Sequence, residues 1–305
     1  MKTKPFTFLL LLTFLFLFSG SVLFQNFYGT ASANPSLSAN CDETSPFSFL
    51  SLGDVPYKPN EFDIFSSTLN HIDEVEPILF AIHVGDIVDD PSPTNKSTEA
   101  KVFTKRYNLF NSFSKPFIIV PGDNETNDQR DPERALQFFI NKFVPLAHKN
   151  NFLKIARQNG HMENLFFHCK GILFIGINLQ YIGNRDKNNW LRTNEASREW
   201  LLYNLLHNSN NAKGIVLFMH GQLRSFVNIF FPVKKVLERL GKPTLIIEGD
   251  EHQESFSSFH PIRGETYELV GFHNPNYAFK VNVNPSLTKE SVKFSVEIVG
   301  KNSPN

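Results

Sequence analysis

Ile78-Leu79-Phe80-Ala81-Ile82-His83-Val84-Gly85-Asp86-Ile87-Val88-Asp89-Asp90 is the stretch from which the fold is read. Ile78–Val84 is short, apolar and rich in branched side chains, the mark of a strand buried on both faces. It breaks at a Gly-Asp pair that opens an acidic turn. Upstream, Phe62, Phe65, Leu69, Ile72 and Val75 recur at the spacing of an amphipathic helix over Phe62–Val75. The same helix-then-strand unit repeats on either side. Further strands are predicted at Phe47–Leu52, Phe117–Val120, Ile172–Ile177, Ile215–Met219 and Leu245–Ile247. Helical patterns cover about Thr98–Phe113, Pro132–Val144, Glu195–Leu206 and Phe226–Leu240. Tyr267–Phe272, Tyr277–Val283 and Val292–Ile298 then follow as strands with no helix between them, expected to pair antiparallel. The alternation predicts a mixed α/β layer sandwich with a β-rich end.

The chain has 305 residues, 41% hydrophobic and 20% charged, with 30 basic and 30 acidic residues. That composition excludes disordered, collagen-like and coiled-coil classes, and the balanced charge gives no sign of nucleic-acid binding. The 32 phenylalanines fall mostly in apolar runs and read as core packing. Two cysteines, Cys41 and Cys169, exclude a four-cysteine zinc site; a disulfide between them and two buried thiols fit the sequence equally.

Lys2 and Lys4 precede an apolar stretch from Phe6 to about Phe24, and Ala31-Ser32-Ala33 supplies the small residues of a cleavage site. Residues 1–33 therefore read as an export signal, with an uncleaved membrane anchor as the alternative. Cleavage leaves 28 basic against 30 acidic residues, a net charge of −2, and no later apolar run long enough to span a bilayer. The expected location is secreted or periplasmic. Residues 34–45 read as a linker, 46–300 as one domain and 301–305 as a tail.

In open α/β sheets ligands bind beyond the carboxyl ends of the strands. Five such junctions carry ligand-type side chains: Gly53-Asp54-Val55-Pro56-Tyr57, Gly85-Asp86-Ile87-Val88-Asp89-Asp90, Pro121-Gly122-Asp123-Asn124-Glu125, His220-Gly221, and Glu248-Gly249-Asp250-Glu251-His252. One Gly-Asp pair is a common turn, but five strand ends offering carboxylate or imidazole ask for metal. Carboxylates and imidazoles together suit Mn, Fe, Zn or Mg. Two such ions sharing a carboxylate and a bridging hydroxide are the apparatus of phosphoester hydrolysis. Asp86 is the natural bridge.

The order of these motifs resembles the calcineurin-like metallophosphoesterases over residues 47–252. Arg198-Glu199-Trp200-Leu201 is similar to that family's Trp-Leu helix. The resemblance implies a four-layer αββα sandwich, two divalent metal ions, and a phosphorylated small molecule or phosphodiester as substrate. It implies Asp54, Asp86 and His252 as ligands of one ion, and Asp86, Asp123, His220 and Asp250 as ligands of the other. Asn124 falls where the family has its catalytic histidine, so Asn124 and His220 are the candidate catalytic residues. Three further positions depart from the pattern. Pro56 stands at a ligand position that it cannot fill, Asp123 replaces an Asn, and Asp250 replaces a His. Four carboxylates among six ligands favour harder ions such as Mn or Mg. The leading reading is an exported metal-dependent phosphoesterase. The other is a weakened relative that binds metal or a phospholigand without turnover.

Asp89 and Asp90 precede Pro91-Ser92-Pro93 and suit turn formation as well as metal. His83, inside a strand, reads as a core histidine, and His71, His148 and His207 as surface or helix-end residues. Asn95-Lys96-Ser97 and Asn124-Glu125-Thr126 match the glycosylation pattern, the second by overlap with the site motif. Lys142–Met162 and the loop Tyr181–Asn194 are expected to shape the pocket.

Overall fold

The computed structural model describes residues 41, 44–89, 96–181, 187–252, 255–271, 274–285 and 291–300. Residues 1–33, read above as an export signal, most of 34–45, Asp90, Asn95 and residues 301–305 lie outside the described residues. Among the described residues no helix is long and apolar enough to cross a membrane.

Twelve strands form two sheets among the described residues. They are β1 Phe47–Leu52, β2 Ala81–His83, β3 Phe117–Ile119, β4 Ala156–Gln158, β5 His161–Cys169, β6 Ile172–Gly176, β7 Gly214–Phe218, β8 Thr244–Glu248, β9 Ser255–Ser258, β10 Thr266–Val270, β11 Tyr277–Asn284 and β12 Lys293–Gly300. The first sheet runs β12-β11-β1-β2-β3 and the second β4-β5-β6-β7-β8-β10-β9. Helices α1 Phe62–Val75, α2 Lys96–Ser112 and α3 Pro132–Phe143 serve the first sheet, while α4 Lys187–His207 and α5 Val227–Leu240 serve the second.

Period-two alternation builds the layers. In β1, Phe47 and Phe49 enter the cluster between the sheets, and Leu50 and Leu52 enter the one under α1 and α2. At β2, Ile82 and the preceding Phe80 face the other sheet, while Ala81 faces the helices. The inter-sheet layer is aromatic. Phe49 stacks on Phe80 at 5.4 Å, Phe80 meets Phe167 edge-on at 5.6 Å, and Phe167 stacks on Phe174 at 4.7 Å. Burying each such ring stabilises the fold by roughly 1.5–3 kcal/mol. Leu201 and Leu205 of α4, with Val233 and Leu237 of α5, close the far face of the second sheet over Leu173, Ile175, Ile215 and Leu217. Helix, sheet, sheet and helix therefore stack as four layers.

Local chemistry sets the helix ends. The Asp131 side chain accepts from Arg134 N at 3.2 Å, and Pro132 occupies the first turn of α3. Gly241 ends α5 at φ +60°, a left-handed cap that glycine adopts without strain. Cys41 and Cys169, both fully buried, form a disulfide spanning 128 residues. On the chain-entropy model a link of that span stabilises by about 5 kcal/mol.

Some expectations need correction. The strand expected at Tyr267–Phe272 is β10, and it lies parallel to β8, taking an antiparallel partner only in β9. The crossover through β9 permits the parallel register. Lys187–Asn194 is helix, the first two turns of α4, where a loop was expected. Lys142–Met162 forms the end of α3, a short 3-10 helix, β4 and the start of β5, with Ala147 and Leu153 in the inter-sheet core; none of it lines the cavity described below.

Candidate metal centre

β1, β2 and β3 run parallel, as do β6, β7, β8 and β10. Their carboxyl ends therefore deliver Asp54, Asp86, Asp123, His220, Asp250 and His252 to one edge of the sandwich. Backbone bonds tie the loops together: Asp54 N donates to Gly85 O at 2.9 Å, and Gly249 N to His220 O at 2.8 Å. Asp86, Asp123, His220 and Asp250 each offer an atom within 4.8 Å of the others, and Asp54, Asp86 and His252 form a second such group. Asp86 belongs to both.

Four of these six residues sit at positive φ: Asp54 at +56°, Asp86 at +55°, Asp250 at +70° and His252 at +52°. A non-glycine residue there costs on the order of 1–2 kcal/mol, and such strain concentrates where function fixes a side chain. The glycines around them leave no room for a side chain. A Cβ on Gly122 would lie 2.1 Å from Asp86 Oδ1, and one on Gly249 would lie 2.9 Å from His220 Nδ1.

His220 carries the test of fit. It is fully buried, and Nδ1 lies 3.0 Å from the Val84 carbonyl, which can only accept, so Nδ1 holds the proton. Nε2 then presents its lone pair to Asp123 Oδ1 at 3.3 Å, Asp86 Oδ1 at 3.4 Å and Asp250 Oδ1 at 3.6 Å, with no hydrogen-bond partner. Asp54 Oδ2 is likewise buried and unpartnered, and Asp54 Oδ1 stands 3.6 Å from His252 Nε2. Lone pairs converging in this way need a cation or a proton between them. A carboxylate–imidazole set of this kind fits divalent metal.

Without a cation, protons take its place. Burial raises Asp54 to about 7, with His220 drawing it back. Burial also raises Asp86 well above the carboxylate range. Burial alone would lower His220, but Asp86, Asp123 and Asp250 outweigh it and push His220 well above its usual value. Asp123 runs the other way: burial raises it, but its contact with His220 holds it below its usual value. A group with a raised folded pKa stabilises fully below its unfolded pKa and loses that contribution as pH climbs through the folded one. Asp123 contributes the reverse, above its unfolded value, and is outnumbered. The melting temperature of chelator-treated protein is therefore expected to fall between about pH 5 and about pH 8. Added Mn²⁺ should raise it more at the upper end, where its ligands are deprotonated. Thermal melts across that range, with and without the ion, check this; a metal-free Tm that rises with pH would contradict it.

The surrounding residues hold the loops. Glu125, fully buried, accepts from Asp86 N at 3.1 Å and Ile87 N at 3.0 Å, fixing the strained turn. Arg106 of α2 donates through Nε to Ile87 O at 2.9 Å and through Nη2 to Pro56 O at 3.4 Å, tying two loops at once. His83 is a core histidine: Nδ1 accepts from Gly85 N at 3.1 Å, Nε2 lies 2.6 Å from Val55 O, and burial lowers its pKa to about 4. Pro56 follows a cis peptide bond and is buried. Asp89 is exposed and belongs to neither group.

Asn124, 4% exposed, turns inward. Its Nδ2 lies 2.8 Å from Asp86 Oδ2, 3.0 Å from Tyr57 Oη and 3.1 Å from Val88 O. Sequence reading missed Tyr57, Arg106 and the anchoring part of Glu125. Tyr57 had only its place three residues beyond Asp54 to mark it, and Arg106 lies mid-helix with no motif. A small, partly open cavity lies between the Asp123–Asn127 loop and the start of α4, lined by Thr126, Asn127, Gln180, Trp190 and Asn194 among others.

A family model described as calcineurin-like phosphoesterase matches residues 47–254. No curated protein matches the chain significantly in sequence. Among solved structures the chain is similar to GAP50 of Plasmodium, described as the anchor in the inner membrane complex. That match has a TM-score of 0.53 and 12% identity, over 86% of this chain and 90% of that one. It is also similar to a 5'-nucleotidase from Candida albicans, with a TM-score of 0.51 and 13% identity, over 82% of this chain and 51% of that one. This chain thus spans about half the length of the nucleotidase. At such identities the two likenesses speak for the fold alone.

Proposed function

The chain belongs to the calcineurin-like phosphoesterases, and from that membership we propose that it is an exported, metal-dependent phosphoester hydrolase. Asp54, Asp86 and His252 would hold one divalent ion, and Asp86, Asp123, His220 and Asp250 the other. When bound, the ions supply an activated water and positive charge toward the phosphoryl oxygens. The protein's own part is to place them. Asp86 spans both positions, Glu125 and Arg106 fix the loops that carry it, and Asn124 orients its outer oxygen. Asn124 delivers no proton at neutral pH. The substrate class that suits this centre is therefore a phosphoester with a good leaving group, monoester or diester.

The observation that carries the reading is the buried, unpartnered Nε2 of His220 facing three carboxylates, beside a second group that shares Asp86. Metal analysis of the purified protein, with a screen of aryl phosphomonoesters and diesters, tests it. Two ions per chain and turnover on activated esters are expected. Two ions with no turnover on any ester would favour the second reading, a binder of metal or phospholigand, which the inward turn of Asn124 supports. Less than one ion per chain would overturn both.

A further inference from the structure

β6 ends at the same edge of the sandwich and delivers none of the six ligands. The segment that follows it, 177–181, nevertheless bonds to ligand loops of both sheets. Toward the first sheet, Gln180 Nε2 donates to Thr126 Oγ1 at 2.6 Å, and Asn127 Nδ2 donates to Tyr181 O at 3.1 Å. The Thr126 hydroxyl in turn lies 2.8 Å from Gly122 O. A carbonyl can only accept, so the hydroxyl donates there and takes its own bond from Gln180. Gly122 O belongs to the peptide that enters Asp123, so fixing it fixes the point from which the Asp123 carboxylate starts. Toward the second sheet, Gly221 N donates to Leu179 O at 2.8 Å, directly after His220, and Gln222 N donates to Tyr181 Oη at 3.3 Å.

The segment itself is pinned. Gln180 is 4% exposed, and its carbonyl accepts from Trp190 Nε1 at 2.7 Å and Asn194 Nδ2 at 3.2 Å, both in the first two turns of α4. Asn178 N donates to Asn164 Oδ1 at 2.6 Å, and Asn178 O accepts from Ser197 Oγ at 2.7 Å. A fixed segment therefore stands between two ligand loops that come from different sheets. Across the centre those loops bring Asp123 Oδ1 to 3.3 Å from His220 Nε2.

We propose that Gln180, acting through the Thr126 hydroxyl, is a positioning residue that sets Asp123 against His220 and thereby the affinity of the ion those two share with Asp86 and Asp250. The ion of Asp54, Asp86 and His252 is independent of it, because Glu125 anchors the Asp86 turn and Gly85 O anchors Asp54 N. This rests on the two-ion reading of the centre. Residues that hold metal ligands in place typically carry about 10- to 100-fold in metal affinity.

The test is a calorimetric titration of Mn²⁺ into the metal-free full chain, with the metal-free Tm measured on the same samples. Gln180→Met keeps the length of the side chain and removes the donor. Thr126→Val keeps the shape and removes the hydroxyl, and Thr126→Ser retains it. Gln180→Met and Thr126→Val should each weaken one of the two Mn²⁺ equivalents about 10- to 100-fold and leave the other unchanged, while Thr126→Ser binds both as the wild type does. Where Gln180→Met does not fold, the two Thr126 variants decide. Two unchanged equivalents in either Gln180→Met or Thr126→Val would overturn the inference and leave the two-ion reading standing. Equal weakening of both equivalents would also overturn it, as would weakening that Thr126→Ser shares, since the residues would then serve the fold in general. A wild type that takes up fewer than two Mn²⁺ would bring down the two-ion reading as well.

Discussion

Asp86→Asn is expected to leave at most one ion bound per chain, to cut turnover on any ester by on the order of 10³-fold or more, and to preserve the fold. Asp86 alone belongs to both ligand groups. Its Oδ1 lies 3.4 Å from His220 Nε2, and its Oδ2 accepts from Asn124. An asparagine keeps the shape but exchanges one acceptor for a donor, which meets either the Asn124 amide or the ion position. The stability readout separates this from simple damage. Burial holds the Asp86 carboxyl well above its normal pKa, so its ionised form is a cost to the metal-free fold at neutral pH. The metal-free variant should therefore melt at or above the wild-type temperature, while the Tm gain on adding Mn²⁺ shrinks. Atomic absorption after gel filtration, with paired melts, measures both. Two ions retained in Asp86→Asn would refute the bridging role.

What the sequence made legible follows from how parallel strands are built. A strand buried on both faces is an unbroken apolar run, and its ligands sit where the run stops. Phe47–Leu52 was readable residue for residue as β1 from its apolar side chains, and Phe62–Val75 as α1 from its helical spacing. β5 was hidden because His161–Cys169 mixes Glu163 and Asn164, both buried, into its apolar side chains. β9 was hidden because all four of its residues are exposed at a sheet edge and show no alternation. The early turns of α4 hold only Trp190 and Leu191 as apolar residues between Lys187 and Thr193, so no periodicity announced them. At the centre, residue types and spacing showed which side chains to gather. The left-handed turns at Asp54, Asp86, Asp250 and His252 carried no such signal, because the usual sign of positive φ is glycine. The inward aim of Asn124 depends on Val88 O and Tyr57 Oη, and their nearness arises only when the first two loops fold together.

Asn124→His is expected to raise turnover on esters with poor leaving groups by about 10²-fold and to change it little on those with good ones. The reason lies in what position 124 can and cannot do. The asparagine amide holds Asp86 Oδ2 at 2.8 Å and Val88 O at 3.1 Å, which orders the carboxylate but offers no proton to a departing alkoxide. Wild-type rates should therefore fall steeply as the leaving group becomes less acidic, since the oxygen must depart with its charge. An imidazole can keep one N–H on the Asp86 side and turn its other nitrogen toward the ester oxygen, with a pKa suited to transfer near neutrality. Good leaving groups need no such help, so the two proteins should converge on them. Rates for a series of aryl phosphoesters, at full metal occupancy in both proteins, give the two slopes. A shallower slope for Asn124→His supports a centre that works without a protein acid. Equal slopes would mean that the leaving group finds its proton elsewhere. Wild-type inactivity on every ester in the series would assign the chain to the non-catalytic binders.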